Sequence, residues 1–118
     1  MIEYNEALRL SMQYFGGNEL AASTFLNKYA LKDPKGKLLE TTPDDMHRRL
    51  AKEFARIEAK YPNPLSEEEI YSYLKDFKKL IPQGSPMAGI GNKSQLLSLS
   101  NCFVIDSPWD SYSGITYT

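Results

Sequence analysis

The chain has 118 residues, a length that fits one domain, and it is 42% hydrophobic and 25% charged, as ordinary globular proteins are. Its formal net charge of -1 provides no bulk field that would favour nucleic acid or an acidic membrane surface. No apolar run approaches the roughly 18 residues of a membrane span. The first residues lack a signal peptide pattern, and a single cysteine excludes an internal disulfide, so a reducing cytoplasm is expected.

The first part of the chain, residues 1–81, is predicted to be a helical domain. Asn5 can cap a helix that runs to Tyr14 and ends at a glycine pair, and Asn18 can cap a second helix over 19–30. The candidate inward positions of this second helix are Leu20, Thr24 and Leu26.

A turn over 33–36 and a short predicted strand over 37–40 lead into the third helix. Thr42 starts this helix with a hydroxyl cap, followed by a proline and two acids in the first turn. The helix is predicted to run to about Tyr61 with a single apolar stripe. The stripe consists of Met46, Leu50, Phe54 and Ile57.

A fourth helix begins at the sequence 66–69, in which a serine and a glutamate can bond each other's backbone amides. Its predicted inward residues are Ile70, Tyr73, Leu74, Phe77 and Leu80. On the third helix, His47 is predicted to face solvent, and no metal site is expected because no cysteine or second histidine lies nearby. The basic residues Arg48, Arg49 and Lys52 are predicted to form a solvated face.

Residues 82–118 have a different composition, in which Gly, Ser, Pro and Asn replace the helix formers. A glycine-rich loop over 84–92 precedes a strand predicted over 97–105, in which small polar and apolar residues largely alternate. Cys102 lies within this strand. Because a lone strand cannot satisfy its backbone hydrogen bonds and no pairing partner is evident, the strand is expected to join a larger sheet supplied elsewhere.

Two features of this region have alternative interpretations. Cys102 is either a small buried hydrophobe, the usual role of a free cysteine, or a reactive thiol between two loops. The 84–92 loop is either a connector or a place where the backbone approaches a ligand, with the Ser85 hydroxyl and free amides as donors. The loop matches neither a P-loop nor a dinucleotide-binding glycine motif, and no Ser-His-Asp or Cys-His arrangement is recognisable.

Four segments, in this order, resemble segments of ribonucleotide reductase catalytic subunits. They are 29–46 (YALKDPKGKLLETTPDDM), 84–89 (GSPMAG), 98–105 (SLSNCFVI) and 110–115 (DSYSGI). The second is similar to the family's substrate loop, the third to the strand that carries a redox cysteine, and the fourth to the start of its specificity site. The order and spacing agree from about residue 20 to the end of the chain.

The resemblance implies roles for residues on the substrate side. Cys102 would match the first of two cysteines that reduce the ribose and form a disulfide at each turnover. Ser85 would match the hydroxyl that holds the substrate phosphate with neighbouring backbone amides, and this chain has Asn101 where the family often has serine. The substrate-binding residues implied in this way are Ser85, Met87, Ala88, Ser100 and Asn101.

The resemblance also implies an allosteric site and a radical source. Asp110 and Ser111 would match the site where a dNTP or ATP effector is read at a dimer interface, with Asp106 as the alternative to Asp110. The thiyl-radical cysteine and the second redox cysteine of the family are absent from these 118 residues. No cofactor or metal is expected on this chain, while the assembly would use either adenosylcobalamin or a metal-containing radical subunit.

The fold and function implied by the resemblance are those of an incomplete subunit. A mainly α N-terminal domain, 1–81, is expected to precede the substrate loop and first strand, 82–118, of a ten-stranded α/β barrel. The chain is expected to reduce ribonucleotides for DNA synthesis only with the remaining C-terminal part of the catalytic subunit, as part of a homodimer. The alternatives are a helical protein-interaction module that docks by its C-terminal strand and a redox-sensing adaptor that uses Cys102.

Overall fold

A computed structural model describes residues 2–117, and the regular structure in it is helical. The described elements are α1 (Tyr4–Tyr14), α2 (Glu19–Lys28), α3 (Pro43–Glu58), α4 (Glu67–Leu74), a 3-10 helix (Lys75–Phe77), α5 (Gly84–Gly89) and α6 (Tyr112–Tyr117). Helix α1 packs on α2, and α3 packs on α4, so the body consists of two helical hairpins. The mainly helical domain predicted from the sequence is confirmed. None of the described helices combines the length and apolarity needed to cross a bilayer.

The signals that start α3 and α4 are local and act as the sequence predicts. At α3, which Pro43 opens, the Asp45 carboxylate accepts a hydrogen bond from the Thr42 amide at 3.3 Å. At α4, the Ser66 hydroxyl accepts from the Glu69 amide at 3.2 Å, and the Glu69 carboxylate accepts from the Ser66 amide at 3.3 Å. The α4 box satisfies an amide of the first turn that has no partner inside the helix.

The hydrophobic core draws on all four long helices and includes Met46 and Leu50 of the predicted stripe on α3. Met46 and Leu50 are buried there, together with Leu26 of α2 and Leu74 of α4. The cluster consists of Ala7, Phe25, Leu26, Ala30, Leu38, Met46, Leu50, Ala51, Ile70 and Leu74. Helical spacing thus identifies the buried faces of α3 and α4, because residues three and four apart share one side of a helix.

Four of the predicted inward residues are exposed instead, among them Ile57 of the α3 stripe at 40%. Leu20 has 77% of its surface exposed, and Tyr73 and Leu80 are 43% and 53% exposed. Leu80 lies beyond the 3-10 helix, where positive φ angles at Asp76 (58°) and Phe77 (54°) end the helical register. The helical spacing that predicted an inward Leu80 therefore ends before this residue.

Three further predicted elements are shorter in the structure, and one of them is the third helix, which ends at Glu58 rather than at about Tyr61. The second helix ends at Lys28 rather than at Ala30. The strand predicted over 37–40 is reduced to one antiparallel bridge between Lys32 and Leu38. Leu38 is buried, so the turn still adds an apolar side chain to the core.

Residues 96–111 form neither helix nor strand, and the strand predicted over 97–105 is not formed in the structure. Alternating side chains favour an extended backbone, but a strand also needs a neighbour that supplies hydrogen bonds, and residues 2–117 supply none. The first barrel strand therefore stays a prediction. Large apolar side chains in this segment with more than half of their surface exposed are Leu96, Leu99, Phe103, Val104, Ile105 and Trp109.

Candidate functional site

The predicted substrate loop folds as a short helix. Helix α5 covers Gly84–Gly89 and contains Ser85, the residue proposed from the sequence as a ligand donor. Gly84 lies against the Tyr29 ring, and a Cβ on this glycine would come within 3.0 Å of Tyr29 Cε1. A side chain at position 84 would crowd that ring, so glycine allows the close approach of α5 to the helical body.

Ser85 and Asn101, two of the predicted substrate-binding residues, are joined directly. The Ser85 amide donates a hydrogen bond to Asn101 Oδ1 at 2.8 Å, across a sequence separation of 16 residues. Nearby, Gly89 faces Leu99, whose Cδ2 would lie 3.0 Å from a Cβ on the glycine. The segment before Cys102 therefore runs along α5, and the hydrogen bond fixes the residue that precedes the cysteine.

The other predicted substrate-side residues differ in their surroundings. Met87 packs against the hydrophobic core, and its carbonyl accepts a hydrogen bond from Arg49. Ala88 is partly buried. Ser100 is exposed, and its amide donates to Ser98 Oγ at 3.3 Å in a local turn. The structure thus brings Ser85 and Asn101 together and leaves Ser100 on the surface.

Cys102 is exposed to solvent. The interpretation of this residue as a small buried hydrophobe is therefore wrong for the chain as it folds here, because the segment around it is not covered by other elements. Its neighbours Asn101 and Phe103 are exposed as well. A thiol in this position is accessible to a substrate or to a second thiol from outside these residues.

Asp110 and Ser111, the predicted effector residues, lie just before α6. The Ser111 Oγ accepts from the Gly114 amide at 2.9 Å, and the Ser111 amide donates to the Trp109 carbonyl at 2.8 Å. Gly114 is buried against Trp109, where a Cβ would lie 2.5 Å from the carbonyl oxygen. Asp110 and its alternative Asp106 are both exposed. The Asp-Ser pair therefore starts a compact turn on the surface of the chain.

Arg49 is buried, although the sequence predicts a solvated basic face on α3. Its side chain is 8% exposed and pairs at 2.8 Å with the Glu40 carboxylate, which is 6% exposed. The guanidinium also donates to the carbonyls of Met87, at 2.8 Å, and Ile90. The prediction is wrong for Arg49 because this residue lies three positions after Met46, so the helix turns it toward the buried side.

Glu40 connects this ion pair to the chain before α3. Its Oε1 accepts from the Leu31 amide at 2.9 Å, and its two oxygens accept from Arg49 at 2.8 and 3.2 Å. Buried charges are tolerated where pairing and hydrogen bonding satisfy them together. The remaining predicted basic residues, Arg48 and Lys52, are exposed as expected.

His47 is also buried rather than solvent-facing, because the inward face of α3 is wider than the predicted stripe. Within residues 2–117 neither ring nitrogen has a hydrogen-bond partner, and the ring meets Phe77 edge-on with 4.6 Å between centroids. Burial lowers the pKa of His47, against the opposing effect of the carboxylates Asp44, Asp76 and Glu40. The described part of the chain contains no group of three His, Cys, Asp or Glu residues that could hold a metal ion.

Comparison with known proteins gives one match. Residues 15–95, more than half of the chain, match the family model described as ribonucleotide reductase, all-alpha domain. The matched range contains Ser85 and the Arg49–Glu40 pair, while Asn101 and Cys102 lie beyond it. No curated protein and no solved structure matches the chain.

Proposed function

Since this chain belongs to the family of the ribonucleotide reductase all-alpha domain, we propose that it acts in the reduction of ribonucleotides to deoxyribonucleotides for DNA synthesis. Its contribution would be one redox thiol and one substrate loop. The observation that carries the proposal is the hydrogen bond from the Ser85 amide to Asn101 Oδ1. This bond joins the loop proposed to hold the substrate phosphate to the residue beside Cys102, the cysteine proposed to reduce the ribose.

The proposed chemistry removes the 2′-hydroxyl of the ribose as water. Two thiols give up two electrons and two protons, so the ribonucleotide is reduced while the thiols are oxidised to one disulfide. Cys102 supplies one thiol, and the second must come from residues outside this sequence because the chain has no other cysteine. Disulfide formation requires Cα atoms about 4.4–6.8 Å apart, so the second cysteine must approach Cys102 on a neighbouring stretch of backbone.

Ser85 is proposed to bind the substrate phosphate through its hydroxyl. Its amide already donates to Asn101, which leaves the Oγ as the Ser85 group proposed for the ligand. Asn101 would then lie next to the bound ribose while holding α5 in place. The further residues proposed to line the substrate are Met87, Ala88 and Ser100.

Asp110 and Ser111 are proposed to begin a site for a dNTP or ATP effector at the interface of a homodimer. The turn that Ser111 forms with Gly114 supports this assignment, since it holds the Asp-Ser pair in a defined conformation. Radical generation is assigned to the complete assembly, through adenosylcobalamin or a metal-containing radical subunit. No residue of this chain is assigned to either group.

Complementation tests the proposal. The purified chain, mixed with a polypeptide that carries the remaining barrel and its cysteines and supplied with the radical source and a dithiol reductant, should convert ribonucleotide to deoxyribonucleotide and should assemble in a dNTP-dependent manner. An assembly with Cys102→Ser should still bind substrate but lose multiple turnover with a dithiol reductant. Turnover by the chain alone, or full cycling by the Cys102→Ser assembly, would show the assignment to be wrong.

One observation favours a second candidate, a helical interaction module that docks by adding a strand to a partner's sheet. Residues 96–105 expose large apolar side chains that a partner sheet would cover. Such a module should bind its partner equally well with and without nucleotide. Assembly that does not depend on dNTP, combined with no turnover in the complemented mixture, would favour this candidate over the reductase.

A further inference from the structure

We propose that Arg49 is a positioning residue that holds the 84–91 segment in place to receive substrate. It acts on backbone carbonyls of that segment and does not itself contact the substrate. The link to substrate rests on the proposed function, whereas the positioning of the segment rests on the structure alone. Arg49 lies near the middle of α3, a 16-residue helix, so the side chain is anchored on a regular element.

The guanidinium of Arg49 donates to four residues that are distant in the chain. Its Nε donates to Glu40 Oε2 at 2.8 Å, and its Nη2 donates to Glu40 Oε1 at 3.2 Å. The same Nη2 donates to the carbonyls of Met87, at 2.8 Å, and Tyr29, at 3.3 Å, while Nη1 donates to the Ile90 carbonyl. One planar cation thus joins the end of α2, the start of α3 and the 84–91 segment.

The carbonyls of α5 need such an external donor. The last four carbonyls of a helix have no partner inside it, and in a helix as short as α5 they include that of Met87. The Pro86 carbonyl accepts from the Ile90 amide at 3.0 Å, whereas the Met87 carbonyl accepts from Arg49. A cation also suits this end of a helix, where partial negative charge collects.

Close backbone approach supports the same arrangement. Gly91 has a φ of 77°, and a Cβ at this position would lie 2.9 Å from Arg49 Cγ. At the other end of α5, Gly84 touches the ring of Tyr29, whose carbonyl is one of the Arg49 acceptors. Both ends of the 84–91 segment therefore rest on Arg49 or on a residue bonded to it.

Arg48 offers a matched comparison one position away on the same helix. Its side chain is 49% exposed and pairs with Glu68 at 2.9 Å, and its guanidinium carbon lies 3.6 Å from the centre of the Tyr71 ring. These contacts are with α4 rather than with α5. A change at Arg48 alters the same type of residue and leaves the contacts of the 84–91 segment as they are.

The test compares Arg49→Lys with Arg48→Lys in the 118-residue chain. Lysine keeps the charge but cannot reach three carbonyls and a carboxylate with one planar group. Hydrogen exchange at the Met87 and Ile90 amides should become about tenfold faster in Arg49→Lys and stay unchanged in Arg48→Lys. The exchange rate of the Leu50 amide in the core reports the global stability of each variant. The Met87 and Ile90 rates are compared after the change in the Leu50 rate has been subtracted on the free-energy scale.

A kinetic measurement on the complemented assembly separates positioning from simple stabilisation. Arg49→Lys should raise the KM for the ribonucleoside di- or triphosphate about tenfold with little change in kcat, because the loop then spends less time in its binding geometry. If Arg49→Lys does not fold, Glu40→Gln removes the carboxylate charge that orients the guanidinium and is read by the same amides.

The outcomes distinguish this inference from the proposed function. If the exchange rates of the Met87 and Ile90 amides, relative to the core, are unchanged in Arg49→Lys, the positioning role is overturned, whether or not the assembly reduces ribonucleotides. Faster exchange with an unchanged KM overturns the link between Arg49 and substrate, while turnover by the wild-type assembly keeps the proposed function intact. Absence of turnover and nucleotide binding in the wild-type assembly overturns the proposed function, and the exchange result still decides the positioning role.

Discussion

Arg49 and Glu40 face each other inside the protein, with Nε 2.8 Å from Oε2 and with only 8% and 6% of their side chains exposed. Such a pair is tolerated because each charge compensates the other where little of either side chain is open to solvent. Removing one partner leaves a bare buried charge, whereas replacing both partners with apolar residues does not. The stability of the chain should therefore respond very differently to single and double substitutions at these positions.

Glu40→Ala is expected to lower the free energy of unfolding by about 3–5 kcal/mol, because the Arg49 charge is left buried without its partner. The double variant Glu40→Leu with Arg49→Met should recover part of that loss, because no charge is left buried although the Leu31 amide and the Met87 carbonyl lose their partners. Urea denaturation of each protein measures the change. Glu68→Ala is the matched control, since its pair with Arg48 is exposed and should contribute little. Equal losses in the single and double variants would contradict the prediction.

His47 should make stability depend on pH, with a sign that follows from burial. Because the pKa of His47 is lowered in the folded state, the unfolded state binds the proton more readily. The stability from the neutral ring is complete above the unfolded pKa of about 6.5 and is lost as the pH falls from there through the folded pKa. One proton can account for at most about 1.4 kcal/mol per pH unit.

His47→Leu isolates this effect, because it removes the titrating ring and fills a similar volume beside Phe77. Thermal unfolding of both proteins between about pH 7.5 and 5 should give a flatter profile for the variant. The carboxylates of Asp44 and Asp76 are present in both proteins, so the difference between the two profiles belongs to the histidine. Parallel profiles would rule out a contribution from His47.

Asn101→Ala should release the Ser85 amide from its acceptor. Exchange of that amide, followed by NMR, is expected to become roughly tenfold faster, because one net hydrogen bond is lost and no new acceptor replaces it. Asn92→Ala is the matched control, since Asn92 Oδ1 accepts from the Ser94 amide at 3.0 Å in a local turn. If Ser85 exchanges at the same rate in Asn101→Ala, the contact does not hold the loop in solution.

Cys102 should react rapidly with a maleimide in the isolated chain, because it is exposed. Assembly with the remaining barrel should slow the reaction strongly, and mass spectrometry measures both rates. Cys102→Ser serves as the unlabelled control and should change the free energy of unfolding by less than about 0.5 kcal/mol. Equal labelling before and after assembly would argue against a role for the thiol inside a closed substrate site.

The sequence predicts α3 well because its signals are local, and it misses the burial of Arg49 because the carbonyls that this residue bonds are distant in the chain. The helix-start signal at Thr42 and the apolar stripe that begins at Met46 lie within a few turns of each other on one helix. By contrast, the carbonyls of Met87 and Ile90 lie 38 and 41 residues from Arg49, a separation that no local pattern encodes. Position 49 lies three residues after Met46, a spacing that places Arg49 at the edge of the inward face of α3.

The C-terminal segment shows the opposite limit of sequence reasoning. Alternation over 97–105 indicates a preference for extended backbone, yet a strand requires a second strand, which the pattern of one segment cannot supply. For the candidate site, the resemblance assigned Ser85 and Asn101 to one ligand, and the structure joins these two residues by a hydrogen bond.

The exposed segment also has a consequence for handling the protein. Residues 94–105 contain no Asp, Glu, Lys, Arg or Pro, and several large apolar side chains there are open to solvent. Uncharged stretches of this kind, with unpaired backbone groups, act as templates for pairing with copies of themselves. The chain should therefore tend to form cross-β aggregates at high concentration. A partner that pairs a sheet edge with this segment should prevent the aggregation.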